Sequence, residues 1–390
     1  MKKLAIITTH PIQYNAPWFR LLANRGKVII RVFYTWGQVG TEKKYDPGFV
    51  RNIEWDIPLT DGYEHTFVKN SSSQPGSHHF RGIENPSLIK EVEAWQPDAI
   101  LVFGWSFKSH LKVIRHFKGK KPVLFRGDST LLDEERNALK KIARRLFLKW
   151  VYWHVDFALY VGQANKKYFL HMGLKEDQLV FAPHSIDNER FEEGNCIIRE
   201  RFGISQDAVV LLYSGKLEDK KDPTLLLDSF IALKDNKAHL MIVGDGKLMR
   251  GLKEKVAHLD KNDGERIHFA GFVNQSAMPS IYHASDIFVL PSKGPGETWG
   301  LSVNEAMAAG CAIIVSDKCG CYLDLVKEEE NGFVFQSENL EELISLMKRM
   351  VSEKNRLKEM GEASKKMIKG YSFEIICEVI ENLMETKVNR

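Results

Sequence analysis

The feature that most constrains the fold of this chain is a beat of short, β-branched apolar runs separated by longer amphipathic stretches. In the second half the runs fall at residues 209–213, 240–243, 267–270, 287–290 and 312–315, with helical stretches at 223–233, 248–259, 276–283 and 301–309. Runs that are apolar throughout suit strands covered on both faces, and connections of helical length make such strands parallel. The first half repeats the beat less evenly, at residues 4–8, 28–34, 99–103, 123–125 and 157–161. The expected fold is α/β: two doubly wound, Rossmann-like domains facing across a cleft, over 1–195 and 196–370. A break near 192–206 separates them. A last helix over 371–390, set off by Gly370-Tyr371-Ser372, is expected to cross back to the first domain. Residues 37–81, rich in Gly, Ser and Pro, read as loops with short strands, and so long an insertion in an α/β domain usually serves a function.

Composition narrows the function classes. The chain has 390 residues, enough for two cores, and a net charge of only +4, so it is no polycation and no nucleic-acid partner is expected. Its five cysteines, Cys196, Cys311, Cys319, Cys321 and Cys377, are odd in number and scattered, which fits a reducing compartment better than a disulfide framework. The Cys319-Gly320-Cys321 pair lacks a second Cys/His pair at zinc spacing. The apolar run after Lys3 is short and leads into His10 and Gln13, so it reads as a first strand and not as a signal peptide. No stretch approaches the roughly 20 apolar residues that span a bilayer. A cytoplasmic location is expected, extending to the inner face of the membrane.

Ligands of open α/β sheets bind outside the carboxyl ends of the strands, so the loops after strands carry the chemistry. The run after residues 287–290 reads Pro291-Ser-Lys-Gly-Pro-Gly-Glu297-Thr-Trp-Gly-Leu-Ser-Val-Asn-Glu305-Ala-Met-Ala-Ala-Gly310. A Gly/Pro loop delivers Glu297, and a helix starts near Trp299 and ends at Gly310. Its N-terminus, with free N–H groups and the positive dipole end, suits a diphosphate. Eight helical residues rise by about 12 Å, so Glu297 and Glu305 can flank that diphosphate, each accepting sugar hydroxyls. For an isolated helix, a capping acid and a solvated Glu explain the pair equally well; the loop context favours a site. After residues 209–213 comes Gly215-Lys216-Leu217-Glu218-Asp219-Lys220-Lys221-Asp222-Pro223, where Lys216 and Lys221 can each neutralise a phosphate oxygen. Gly244-Asp245-Gly246, after the next strand, is a turn first and a backbone donor second.

Glu-x7-Glu within E-T-W-G-L-S-V-N-E-A-M-A-A-G, behind Leu-Pro-Ser, resembles the donor signature of retaining GT-B glycosyltransferases, the glycosyl transferases group 1 family. The resemblance is strong over 209–335, through G-K-L-E-D-K-K-D-P, I-V-G-D-G-K-L, V-S-D-K-C-G-C-Y-L-D-L-V and N-G-F-V-F. It continues faintly in T-H-P-I-Q-Y-N-A-P-W-F and A-P-H-S-I-D-N-E-R-F of the first half. It implies transfer of a sugar from a nucleoside diphosphate donor, with uracil the commonest base, to a glycan or lipid-linked acceptor, as in cell-surface polysaccharide synthesis. Glu297 would contact the transferred sugar and Glu305 the ribose. Lys216 and Lys221 would hold the diphosphate with the backbone around Trp299, Gly300 and Leu301, and Gly215 and Gly244 would complete the donor site. Neither a cofactor nor a metal is implied, and the sequence has no Asp-x-Asp triplet.

Two departures stand out. Many members place a His after the strand at 123–125; this chain has Arg126-Gly127-Asp128-Ser129, which makes Asp128 the candidate for a sugar-side or acceptor-side contact. The glycine-rich loop after the first strand is replaced by His10-Pro11-Ile12-Gln13-Tyr14, so His10 is a second candidate, equally readable as a structural histidine. A nucleotide-sugar epimerase and a non-catalytic nucleotide-binding scaffold subunit are the rival readings. The stretch Lys140 to Trp153 interleaves Lys140, Lys141, Arg144, Arg145 and Lys149 with Leu139, Ile142, Leu146, Phe147, Trp150 and Trp153. It reads either as an ordinary helix with its apolar face on the core, or as a peripheral contact with an anionic membrane.

Overall fold

The computed structural model describes residues 1–36, 44–132, 137–194 and 197–388. Cys196 and part of the 37–81 insertion therefore lie outside the described residues. The chain divides into two compact units, each assembled from separated stretches. The first comprises Met1–Lys44, Ile57–His184 and Phe373–Arg390; the second comprises Tyr45–Asp56 and Ser185–Ser372. The division falls at 184, not 195, and it assigns part of the insertion to the second unit, whose loops that stretch contacts.

The strands of the first half are β1 (Lys2–Thr8), β2 (Val28–Tyr34), β3 (Lys44–Asp46), β4 (Arg51–Ile53), β5 (Glu64–Phe67), β6 (Ala99–Phe103), β7 (Val123–Arg126), β8 (Phe157–Tyr160) and β9 (Leu179–Phe181). Seven of them form one sheet in the order β5-β2-β1-β6-β7-β8-β9, every pair parallel, while β3 and β4 form a separate ladder. The second unit repeats the plan with β10 (Val209–Ser214), β11 (Ala238–Val243), β12 (Ile267–Gly271), β13 (Ile287–Leu290), β14 (Ala312–Ser316) and β15 (Gly332–Phe335). Their order is β12-β11-β10-β13-β14-β15, again all parallel.

Both sheets owe their form to the runs read from the sequence. Leu4 through Ile7 and every residue of β10, β13 and β14 are buried, as strands with helices on both faces must be. In each sheet the strand order reverses beside the first strand, between β1 and β6 and between β10 and β13. Helices leave neighbouring strands toward opposite faces at such a switch point, which opens a crevice at the carboxyl edge.

The last helix, Phe373–Thr386, packs on the helix Ala16–Asn24 and on β1. Arg25 grips Glu381 with two nitrogens, at 2.6 and 2.9 Å, and Lys2 donates to the Met384 carbonyl at 2.7 Å. The helix Ala138–Tyr152 is held differently. Only Leu148, Val151 and Tyr152 are buried, while Leu139, Ile142, Leu146, Phe147 and Trp150 face solvent. An ordinary helix with its apolar face on the core is thus corrected: the larger apolar stripe points outward. No helix among the described residues is long and apolar enough to cross a membrane.

Candidate functional site

The switch point of the second unit gathers the acidic and basic residues singled out in the sequence. Glu297 follows β13 and is 6% exposed. Ser292 donates its hydroxyl to Glu297 Oε2 at 2.9 Å, and the Lys221 ammonium pairs with the same oxygen. Lys221 comes from the turn Asp219–Lys221 after β10, so the loops of the two strands flanking the switch meet at this pair. Burying a carboxylate this deeply is costly, and these partners offset that cost. The Glu297 carbonyl also accepts from the Gly320 N–H at 2.9 Å, which ties the loop to the one after β14.

Lys216, in the same loop as Lys221, is held by Asp46. Its Nζ lies 3.0 and 3.1 Å from the two Asp46 oxygens and 5.1 Å from the centre of the Phe49 ring. The stretch Tyr45–Asp56 is fastened alongside. Arg51 stacks on Phe272, which follows β12, and lies 3.8 Å from Asp245; Ser276 donates to Asp56. Sequence reasoning missed Asp46, and no local signal marks it.

Gly244 serves close packing, and the N–H groups of both Gly215 and Gly244 are taken up within the unit. A Cβ on Gly244 would sit 1.9 Å from the Gly215 carbonyl oxygen, and the residue has φ +131°, which an L side chain rarely adopts. The Gly244 N–H is used by the Gly271 carbonyl at 2.8 Å, and the Gly215 N–H by Val243 at 3.0 Å. The expected backbone donation from Gly244 is therefore corrected to a steric role.

The helix after the loop is Leu301–Ala308, shorter at its start than the sequence suggested. Gly300 caps it with φ 100°, and no side chain supplies the cap. Because the chain bends at Gly300, Glu297 lies outside the helix, and the 12 Å rise expected of eight helical residues does not apply between the two glutamates. Trp299 is buried and donates its indole N–H to Asn304 at 2.8 Å, fixing the bend. Glu305, 3% exposed, accepts from the Tyr282 hydroxyl at 2.7 Å. Tyr282 sits in the helix Met278–His283 and was not foreseen, because nothing in its own neighbourhood distinguishes it from a core tyrosine.

Beneath the loop, Cys319 and Cys321 are fully buried. Burial, then the Glu297 charge, pushes the Cys319 thiol up to about 12, and the protonated sulfur donates to the Leu290 carbonyl at 3.4 Å. Among the described residues no group of three or more His, Cys, Asp or Glu is placed to hold a metal ion.

The first unit places its two candidates at the carboxyl ends of different strands. His10 follows β1; its Nδ1 meets Thr9 Oγ1 at 3.0 Å and its ring abuts Trp36 edge-on. Asp128 follows β7, with β6 lying between β1 and β7 in the sheet. Asp128 meets a residue the sequence reading passed over: His184 Nε2 lies 3.6 Å from its carboxylate. Burial pushes the His184 imidazole below its ordinary value, and Asp128 partly offsets this. Arg126, buried beside them, donates to the carbonyls of Ala182 and Pro183 at 2.8 and 2.9 Å, and burial lowers its pKa to about 10. The signal for His184 was its place after β9, the kind of loop that carries ligands in this architecture.

Two doubly wound parallel units define a GT-B-type fold. Sucrose-phosphate synthase from Thermosynechococcus elongatus has the same fold: the TM-score is 0.74 at 18% identity, over 99% of this chain and 98% of that one. The model of the glycosyl transferases group 1 family matches residues 196–367, within the second unit. Among curated proteins, the chain is similar to the mannosylfructose-phosphate synthase of Agrobacterium fabrum, 31% identical over 207 residues, 48% of this chain and 44% of that protein. It is also similar to the UDP-Gal:alpha-D-GlcNAc-diphosphoundecaprenol alpha-1,3-galactosyltransferase of Escherichia coli, 30% identical over 181 residues, 44% of this chain and 45% of that protein. The chain thus spans about half the length of the curated relatives it matches.

Proposed function

We propose that the chain is a retaining hexosyltransferase that moves a sugar from a uridine diphosphate donor to a hydroxyl of a glycan or lipid-linked acceptor in cell-surface polysaccharide synthesis. The observation that carries this reading is the buried Glu297–Lys221 pair, beside Lys216, at the switch point of the group 1 unit. Lys216 and Lys221 exchange their carboxylate partners for the diphosphate, whose greater charge favours the exchange. The uncapped N–H groups at Leu301 add the positive end of a helix dipole. Charge developing on the leaving diphosphate is stabilised by these fixed groups, so the reaction needs neither a metal nor a cofactor beyond its co-substrate. Glu297, freed from Lys221, accepts hydroxyls of the transferred sugar, and Glu305, oriented by Tyr282, accepts those of the ribose. Asp128 with His184, and His10, serve the acceptor side. The name of the E. coli relative, with a UDP-sugar donor and a diphosphoundecaprenol acceptor, supports uracil and a lipid-linked acceptor.

The test is a panel of nucleoside diphosphate sugars offered with and without acceptor, in the presence of EDTA. Transfer with retention from a UDP-sugar supports the reading. An isomerised sugar without acceptor makes the chain an epimerase, and tight binding without turnover makes it a scaffold. Glu297→Ala is expected to abolish transfer while UDP affinity stays within about threefold; full transfer by this variant overturns the assignment of Glu297.

A further inference from the structure

We propose that the helix Ala138–Tyr152 and the Trp153 that ends it form a docking surface for an anionic lipid bilayer. Residues 138–147 are exposed all round, so for its first turns the helix stands clear of the unit that carries it. Leu139, Leu146 and Trp153 are 79%, 64% and 69% exposed, with Ile142 and Trp150 also open to solvent. At 100° per residue these five side chains fall on one stripe about 80° wide, and the anchoring residues Leu148, Val151 and Tyr152 lie on the opposite side. The helix is therefore fixed by its back and presents its apolar stripe outward. An apolar run of this kind is ordinarily covered by something.

Charge says what covers it. The segment contains Lys140, Lys141, Arg144, Arg145 and Lys149 and no acidic residue. At 100° per residue Lys140, Arg145 and Lys149 flank the stripe, while Lys141 and Arg144 fall on the anchored side, so two copies laid stripe to stripe would oppose three cations with three, which disfavours a second copy as the occupant. Long basic side chains flanking an apolar stripe suit a bilayer carrying negative headgroups: the stripe enters the acyl boundary and the cations stay at the phosphate level. Trp150 and Trp153 are the residue type that settles at that boundary. Arg115, stacked 5.2 Å over the Trp150 ring, adds a fourth cation to the face. Beyond Trp153 the surface continues into a groove of about 440 Å³ whose charged lining is Lys118, Lys149 and Lys175 with Asp177, a lining in which cations outnumber the one acid. This surface concerns where the acceptor is met and not the donor chemistry, so it stands or falls separately from the proposed transfer reaction.

The experiment is co-sedimentation of the full chain with vesicles of phosphatidylcholine alone and of phosphatidylcholine mixed with phosphatidylglycerol. Binding to the mixed vesicles, weakening as salt is raised, is expected. The triple substitution Leu139→Ser, Leu146→Ser, Trp153→Ser removes exposed side chains only, and it should weaken binding at least tenfold with an unchanged melting temperature. Lys140→Ala with Arg145→Ala and Lys149→Ala should lower binding to the mixed vesicles and flatten its salt dependence. Equal retention by neutral vesicles overturns the proposal, as does wild-type binding by the serine triple. A dimer that the serine triple converts to monomer also overturns it, by making a second copy the occupant. Vesicle binding is read without any sugar transfer, so an inactive chain that still binds leaves this inference intact while removing the proposed function.

Discussion

The Asp46 carboxylate holds the Lys216 ammonium at 3.0 Å, across 170 positions of sequence. Burial works against the charge on Asp46, but Lys216 and the N–H groups of Phe49 and Gly48 hold its carboxyl below the ordinary value. The ammonium proposed to hold the donor diphosphate is thus already bound to an anion of the chain itself.

Removing that anion should help the ligand. Asp46→Asn keeps the shape and the turn while releasing Lys216, and UDP affinity measured by calorimetry should rise about three- to tenfold. The gain is modest because both side chains are about one-third exposed, where ion pairs are weak. Weaker UDP binding by this variant would show that Asp46 supports the site and does not compete for it.

Tyr282 is expected to act through Glu305. Tyr282→Phe leaves the buried carboxylate short of a donor, a loss of roughly 1–3 kcal/mol. UDP affinity should fall about tenfold, while kcat at saturating donor changes little, because the proposed contact is to the ribose and not to the reacting carbon. Glu305→Ala should weaken binding further. A kcat effect without a KM effect would remove the ribose assignment.

Acid should destabilise the first unit through His110. Burial pushes this imidazole down to about 4, although the Phe103 and Gly104 carbonyls oppose the shift. Its folded value lies below the value near 6.5 of an exposed histidine, so between those limits the unfolded chain binds more protons. Stability is full above pH 6.5 and is lost as the pH falls toward 4, by up to about 3 kcal/mol. Burial also pushes His268 down to about 4, and its stacked neighbour His239 is lowered in the same direction, so the second unit has a similar weakness. Melting curves from pH 7 to pH 4 should show the decline, and His110→Gln should flatten it. An unchanged slope in that variant would place the acid lability elsewhere.

The strands were legible because burial on both faces leaves no polar position in a run such as Ile287–Leu290. Glu297, Lys216 and Lys221 were legible because each sits in a loop directly after a strand, and the sheet order brings those loops together. The bend at Gly300 was not, since a left-handed glycine at a helix start leaves the same letters as a glycine inside one. Asp46 was hidden by distance along the chain, and His184 by its place in what read as a domain break. For the helix Ala138–Tyr152 the difficulty was of another kind. Its apolar residues have helical spacing on two sides, and periodicity alone does not say which side meets the protein.

The two units borrow from each other's stretch of chain, since Phe373–Arg390 completes the first and Tyr45–Asp56 belongs to the second. Order of synthesis therefore matters. The first unit leaves the ribosome with the helix Ala16–Asn24 and β1 still waiting for the helix that covers them. It must stay partly open while the whole second unit is made, exposing apolar surface for that time. A cut at residue 184 would leave both pieces incomplete, so the natural fragments of this molecule are not its halves.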